Sequence, residues 1–255
     1  MNGDDKPRTI RAVERASRII QALEDEGQLT LTEISNRLDV SKSTVHTYLH
    51  TLSQEGFIAK HNDSYRLSLR YLSLSEQVKN RIDIYEAAQY EIDVLAEKTN
   101  ERAQFAKLEE NSVIYIYRSK SENAIPTTLS IGQYVYPHST AAGKSMLAYL
   151  PDHRVDEIIE ANGLPKQTEN TITDVDEFKA DLRRVRELGY AIGDGERLRG
   201  IRCIATPIQT DSGRVLGSIG VSGPSRRMSD ERIESELRDL LLQSANVIEV
   251  NAKFS

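Results

Sequence analysis

The sequence predicts an α+β protein of two domains: a small winged helix-turn-helix at the N-terminus and a larger domain of helices interleaved with a mainly antiparallel sheet. Three observations predict it. The 255 residues are enough for one small and one medium domain, each with its own core. In the first 70 residues, three short amphipathic patterns precede a strand-turn-strand pattern. Beyond residue 100, alternating strand patterns recur between helical ones.

The elements follow in chain order. Val13, Ala16, Ile19, Ile20 and Leu23 recur at helical spacing, with Glu14, Arg15 and Arg18 on the other face, which predicts a first helix broken by Gly27. Thr30 with Glu33 three residues later reads as a capping box for a short second helix through Ile34 to Leu38. After Asp39 and Val40, Ser41 is the N-cap of a third helix whose apolar stripe is Val45, Leu49 and Leu52. Its polar face, Ser41, Lys42, Ser43, Thr44, His46, Thr47 and His50, suits a recognition helix in the major groove of double-stranded DNA. Phe57 to Lys60, the turn-prone His61 to Ser64, and Tyr65-Arg66-Leu67 read as the hairpin wing, with Arg66 a further candidate DNA contact. A small protein-interaction domain with a merely solvated third helix is the bland alternative.

Residues 71–97 are expected to form a linker helix between a winged domain at 1–70 and a second domain at 98–255. Val78, Ile82, Tyr85, Ile92 and Leu95 follow a near-heptad spacing, interrupted at Gln89, so this helix either pairs with a second copy or packs on its own domain. Helix-turn-helix proteins read paired half-sites as two-fold dimers, which favours pairing. Strands are expected at Arg102 to Leu108 and Ser112 to Arg118, with Val113, Tyr115 and Tyr117 alternating against Ile114 and Ile116. Helices follow at Thr140 to Leu150, Asp152 to Asn162 and Asp174 to Leu188. Strands return at Tyr190 to Asp194, Cys203 to Gln209 and Val215 to Ser222, and a last helix spans Asp230 to Val250. Such a domain can enclose a small molecule between sheet and loops.

Composition narrows the function classes. The chain is 38% hydrophobic and 28% charged, ordinary for a soluble globular protein. No apolar run approaches a bilayer span and Met1 to Ile10 lacks a signal-peptide core, so a cytoplasmic protein without membrane contact is expected. The single cysteine, Cys203, excludes an intrachain disulfide and a Cys-rich zinc site; no metal and no cofactor are expected. The net charge of −6 argues against nucleic acid, but residues 1–75 carry as many basic as acidic side chains, and the deficit lies beyond them.

Near its full length the chain resembles the IclR family of transcriptional regulators. The resemblance is carried in the first domain by residues 31–35, 41–46, 55–57 and 65–67, and in the second by Pro137 to Lys144, Val185 to Ala191, Gly200 to Ile208 and Val221 to Pro224. It implies a homodimer or tetramer, no enzymatic activity, control of catabolic genes, and a GAF-like effector-binding domain for a small carboxylate, aromatic acid or sugar-derived acid. The effector site it implies comprises Ala141, Ala142, Asp194 or its neighbour, Ile201, Cys203 and Ser222. Backbone amides at the start of the Thr140 helix would favour an anion there. Gly193 and Gly220 replace an acidic residue and a serine common in the family, so fewer polar anchors are expected than a tiny acid such as glyoxylate needs.

Other chemistry is weaker. Gly143-Lys144-Ser145 ends like a P-loop but has His138 where that motif needs glycine, and Gly193-Asp194-Gly195 starts a dinucleotide fingerprint that Leu198 breaks. Cys203 with His138 could be a nucleophile and base, but a buried structural cysteine is the commoner case. The alternative of a small-molecule hydrolase or transferase with an accessory nucleic-acid-binding module lacks a complete catalytic constellation.

Overall fold

A computed structural model, which describes residues 9–122 and 130–253, divides the chain into two compact units, Met1–Ile82 and Asp83–Ser255. The first contains α1 (Arg11–Glu26), β1 (Gln28–Thr30), α2 (Leu31–Leu38), α3 (Lys42–Gln54), β2 (Ile58–His61), β3 (Ser64–Leu67) and α4 (Arg70–Lys79). The capping box at Thr30 is complete: its hydroxyl accepts from the Glu33 amide at 3.3 Å, and the Glu33 carboxylate accepts from the Thr30 amide at 2.7 Å. Asp39, left-handed at φ 52°, and the Ser35 hydroxyl donating to the Val40 carbonyl at 2.7 Å make the tight turn into α3. Ile19, Leu23, Ile34, Leu38, Val45 and Leu49 close the core of this unit. Truncating Leu49, fully buried, to Ala would cost about 2–5 kcal/mol.

Two expectations need correction here. Val13 does not join the apolar stripe of α1; it is 63% exposed, one turn before the buried part of the helix. The wing has three strands, in the order β1-β3-β2, because the short segment Gln28–Thr30 adds to β3 with Leu29 opposite Tyr65. Three residues carry too little periodicity to announce a strand.

The second unit contains α5 (Tyr85–Thr99), β4 (Arg102–Glu109), β5 (Ser112–Lys120), β6 (Tyr134–Val135), α6 (Ala141–Leu147), α7 (Asp152–Asn162), α8 (Val175–Leu188), β7 (Ala191–Asp194), β8 (Ile201–Gln209) and β9 (Val215–Pro224). It ends in the helical run expected from Asp230, made of α9 (Asp230–Arg232), a π-helical turn at Ile233–Leu237 and α10 (Arg238–Asn251) without a break. The sheet is antiparallel throughout, ordered β6-β5-β4-β9-β8-β7. Helices α5 and α10 cover one face; α6, backed by α8, covers the other.

The linker helix expected over 71–97 is two helices. α4 ends at Lys79, where the amides of Arg81 and Ile82 bond three residues back, and Ile84 is buried at the start of α5. The near-heptad stripe fails because its halves have different surroundings: Ile92 and Leu95 are buried in the second unit, whereas Val78 is 58% exposed. The helix expected from Thr140 to Leu150 is α6 alone, ending at Leu147. The alternation expected along β5 also breaks. A bulge leaves Ile116 unpaired between Phe105 opposite Tyr117 and Ala106 opposite Tyr115, which turns Tyr115 toward α6 while Tyr117 faces α5 and donates to Asp93.

Candidate functional site

On α3, burial of Val45, Leu49 and Leu52 turns Ser43, His46, Thr47 and His50 outward along one stripe, and all four are exposed. Ser41 caps the helix by accepting from the Thr44 amide at 3.3 Å, and its hydroxyl lies 3.1 Å from Ser43 and 2.9 Å from Thr44. Lys42 stands exposed on this first turn, where helix amides and a cation together suit a phosphate. Thr44 is only half-buried; the Thr47 hydroxyl donates back to the Ser43 carbonyl at 3.2 Å. Arg66 is exposed on β3, between Gln28 and Ala59, while its neighbours Tyr65 and Leu67 pack inward. The Arg70 guanidinium lies 4.9 Å over the Phe57 ring and donates to the Glu55 carbonyl, tying α4 to the end of α3.

In the second unit, register gathers the other candidates. Gly193, Cys203 and Ser222 are directly paired across β7, β8 and β9, so they share one face of the sheet, under the start of α6. With Ala141, Ala142 and Ile201 they line a recess that opens to solvent. Asp194 is not among the lining residues. One position past Gly193 it points to the opposite face, where its carboxylate is 60% exposed and 3.5 Å from Arg202. Gly193 itself leaves room for α6, since a Cβ there would stand 3.2 Å from the Ala141 nitrogen. Gly143 is required more strictly: a Cβ would meet the Pro137 carbonyl at 2.1 Å. Gly220 does not line the recess, and a Cβ on it would press on the Ile204 carbonyl at 2.8 Å.

The sequence reading missed most of the lining. Gln104 and Arg118, paired across β4 and β5, and Tyr115, turned in by the bulge, form one side; Glu196, Arg197 and Leu198 form a loop on the other. The polar Gln104 between Ala103 and Phe105 was the available signal for the first side. Burial and the neighbouring Arg102 push the Arg118 guanidinium down to about 10, and burial pushes the Tyr115 hydroxyl up. The first effect favours a ligand that brings negative charge to Arg118, and the second keeps the Tyr115 phenol neutral.

Behind the recess, Lys144 is 2% exposed and bonds the Glu196 carboxylate at 2.7 Å and Asp181 at 2.9 Å. The Thr168 and Thr171 hydroxyls donate to the Glu196 carbonyl at 3.1 and 2.6 Å. These bonds fix the 195–198 loop from behind. Burial raises the Glu196 carboxyl pKa, against the pull of Lys144. The Cys203 thiol is pushed up to about 12 by burial, so it stays protonated at neutral pH and is a poor nucleophile. His138, its imagined base, is buried elsewhere, with its Nε2 3.1 Å from the Pro165 carbonyl and its ring edge on Phe178.

Comparison with known proteins agrees with this architecture. The family model described as the IclR helix-turn-helix domain matches residues 12–61, and that of the bacterial transcriptional regulator IclR C-terminal domain matches residues 76–250. The probable HTH-type transcriptional regulator ArcR of Halobacterium salinarum is 34% identical over 98% of this chain and 95% of its own. The HTH-type transcriptional regulator KdgR of Escherichia coli is 32% identical over 91% and 89%. The crystal structure of Thermotoga maritima IclR superposes with a TM-score of 0.80 at 27% identity, covering 95% of this chain and 97% of that one.

Proposed function

Because the chain belongs to the IclR family of transcriptional regulators, we propose that α3 and the wing bind an operator and that the recess takes a small carboxylate effector. The observation that carries the reading is the convergence of Ala141, Ala142, Ile201, Cys203 and Ser222 on one recess that also holds Arg118 and Arg197. Two guanidinium groups and the first amides of α6 suit an acid; Tyr115, Leu198 and Ile201 suit its carbon skeleton. A protonated thiol, with His138 buried against Pro165 and Phe178, weighs against the hydrolase alternative.

The regulator works as a homodimer or as a tetramer. Helix α4 supports this reading: it has no buried residue, and Leu72 and Val78 are 65% and 58% exposed, so the helix contributes little burial unless a second copy covers it. Paired winged domains give the base contacts that one lacks. Among the described residues no helix is long and apolar enough to cross a membrane, and the regulator acts in the cytoplasm on catabolic genes.

Coupling between effector and operator is reciprocal: an effector that changes operator affinity tenfold binds the operator complex tenfold differently, about 1.4 kcal/mol. The DNA half is tested with the upstream region of the protein's own gene in a gel-shift titration. Changing Thr44 and Thr47 to Ala removes two side chains of the first turns while leaving Val45 and Leu49 in place. Loss of about tenfold or more in operator affinity, with an unchanged melting temperature, is expected; unchanged affinity would refute the assignment.

A further inference from the structure

Gln104 is 5% exposed and lines the recess, yet its side-chain amide has no hydrogen-bond partner among the described residues. Tyr115, 3% exposed, lines the same side, and its hydroxyl is likewise without one. With no protein partner, the polar atoms of both side chains turn to the open space of the recess, where a ligand group or water must match them. Arg118 lines the same side of the recess, directly opposite Gln104 across the β4–β5 ladder.

The chemistry of these groups restricts what can match them. An amide offers donors and an acceptor together, and a phenol does the same. A carboxylate alone would satisfy the donors and leave the amide oxygen facing another oxygen. An ammonium would satisfy the acceptors and be repelled by Arg118 and Arg197. A hydroxyl both donates and accepts, and so fits either group. Resting on the reading of the recess as the effector site, we infer that Gln104 and Tyr115 read hydroxyl groups of an effector whose carboxylate is held by Arg118. The recess therefore selects a hydroxylated carboxylic acid over an alkyl or aryl acid of the same size. Gln104 is the residue that sets this preference, because a ligand without hydroxyls leaves its amide buried and unmatched.

The test is calorimetric titration of the full chain with two matched pairs, D-gluconate against hexanoate and D-glycerate against propionate, for wild type, Gln104→Leu, Gln104→Met and Ala142→Leu. At least one hydroxylated acid is expected to bind about tenfold or more tightly than its unhydroxylated partner. Gln104→Leu is expected to shrink that ratio at least about tenfold by weakening the hydroxylated acid alone. The ligand-free melting temperature of Gln104→Leu should equal or exceed that of wild type, since an unmatched amide gives way to an apolar group of similar size; a structural role for Gln104 would lower it. Gln104→Met provides the same comparison should Leu disturb folding. An unhydroxylated acid binding as tightly as its partner, an unchanged ratio in both variants, or no binding by either hydroxylated acid overturns the inference. Tight hexanoate or propionate binding that Ala142→Leu abolishes would refute the hydroxyl preference and leave the recess as the effector site. Hydroxy-acid binding that survives Ala142→Leu unchanged would refute the site itself.

Discussion

On α3, Ser43, His46, Thr47 and His50 stand in water, whereas Gln104, Tyr115 and Cys203 are withdrawn into the recess of the second unit. Both regions present polar side chains to a partner. In the proposed function the exposed stripe would exchange hydrogen bonds to water for hydrogen bonds to DNA, so each contact would contribute modestly and phosphate attraction would provide much of the affinity. In the recess most of the desolvation has already occurred on folding, so a ligand group that mismatches a buried donor or acceptor is penalised more heavily. Selectivity against near-identical small molecules therefore belongs to the second region, and salt-sensitive docking to the first.

The comparison breaks most visibly if the wall of the recess is disturbed. Lys144→Met leaves the Glu196 and Asp181 carboxylates without their shared cation, one of them almost fully buried. Removing one partner of a buried ion pair costs about 3–5 kcal/mol. The second unit should lose about that much stability in a urea titration, while α3 in the first unit stays folded. A loss below about 1 kcal/mol would mean that the loop is held by Thr168 and Thr171 alone.

A smaller effect is expected on assembly. Leu72→Glu places a charge on the exposed apolar side of α4 and should weaken self-association by about tenfold or more, read by sedimentation at micromolar concentration. A wild-type protein that sediments only at 28.7 kDa would remove the premise.

The smallest effect concerns pH. Burial lowers the His138 pKa below the usual value near 6.5, so the folded state binds fewer protons than the unfolded state just below that pH. Its contribution to stability is present above about 6.5 and is lost as pH falls through the lowered value. His138→Gln should flatten this acid-side slope in thermal melts between pH 7 and 5. Equal slopes in both proteins would show that His138 does not titrate in that window.

The two regions also differed in how far the sequence disclosed them. The recognition helix was readable because everything it needs lies within fifteen residues: a cap at Ser41, the stripe of Val45, Leu49 and Leu52, and a polar remainder. The recess depends on register across five strands. Resemblance and the β8–β9 pairing brought Cys203 and Ser222 together, but Asp194 fell on the wrong face by one residue of strand period. Tyr115 and Arg118 could not be placed beside Gln104 without the bulge at Ile116, and no local pattern announces a bulge. The break between α4 and α5 was missed for a related reason. A heptad-like spacing does not reveal that Val78 and Ile92 face different surroundings.

In the proposed function, occupancy of the recess controls the operator contact. The most direct test of this control is the fluorescence anisotropy of a labelled operator fragment, titrated with wild type and Ala142→Leu, with and without the carboxylic acid that most raises the wild-type melting temperature. Ala142 is 3% exposed at the start of α6, and three added carbons would intrude on the part of the recess beside it. The expected result is equal operator affinity for both proteins without the acid, and a shift of about fivefold or more on adding it to wild type only. An Ala142→Leu protein that responds to the acid as wild type does would contradict the account.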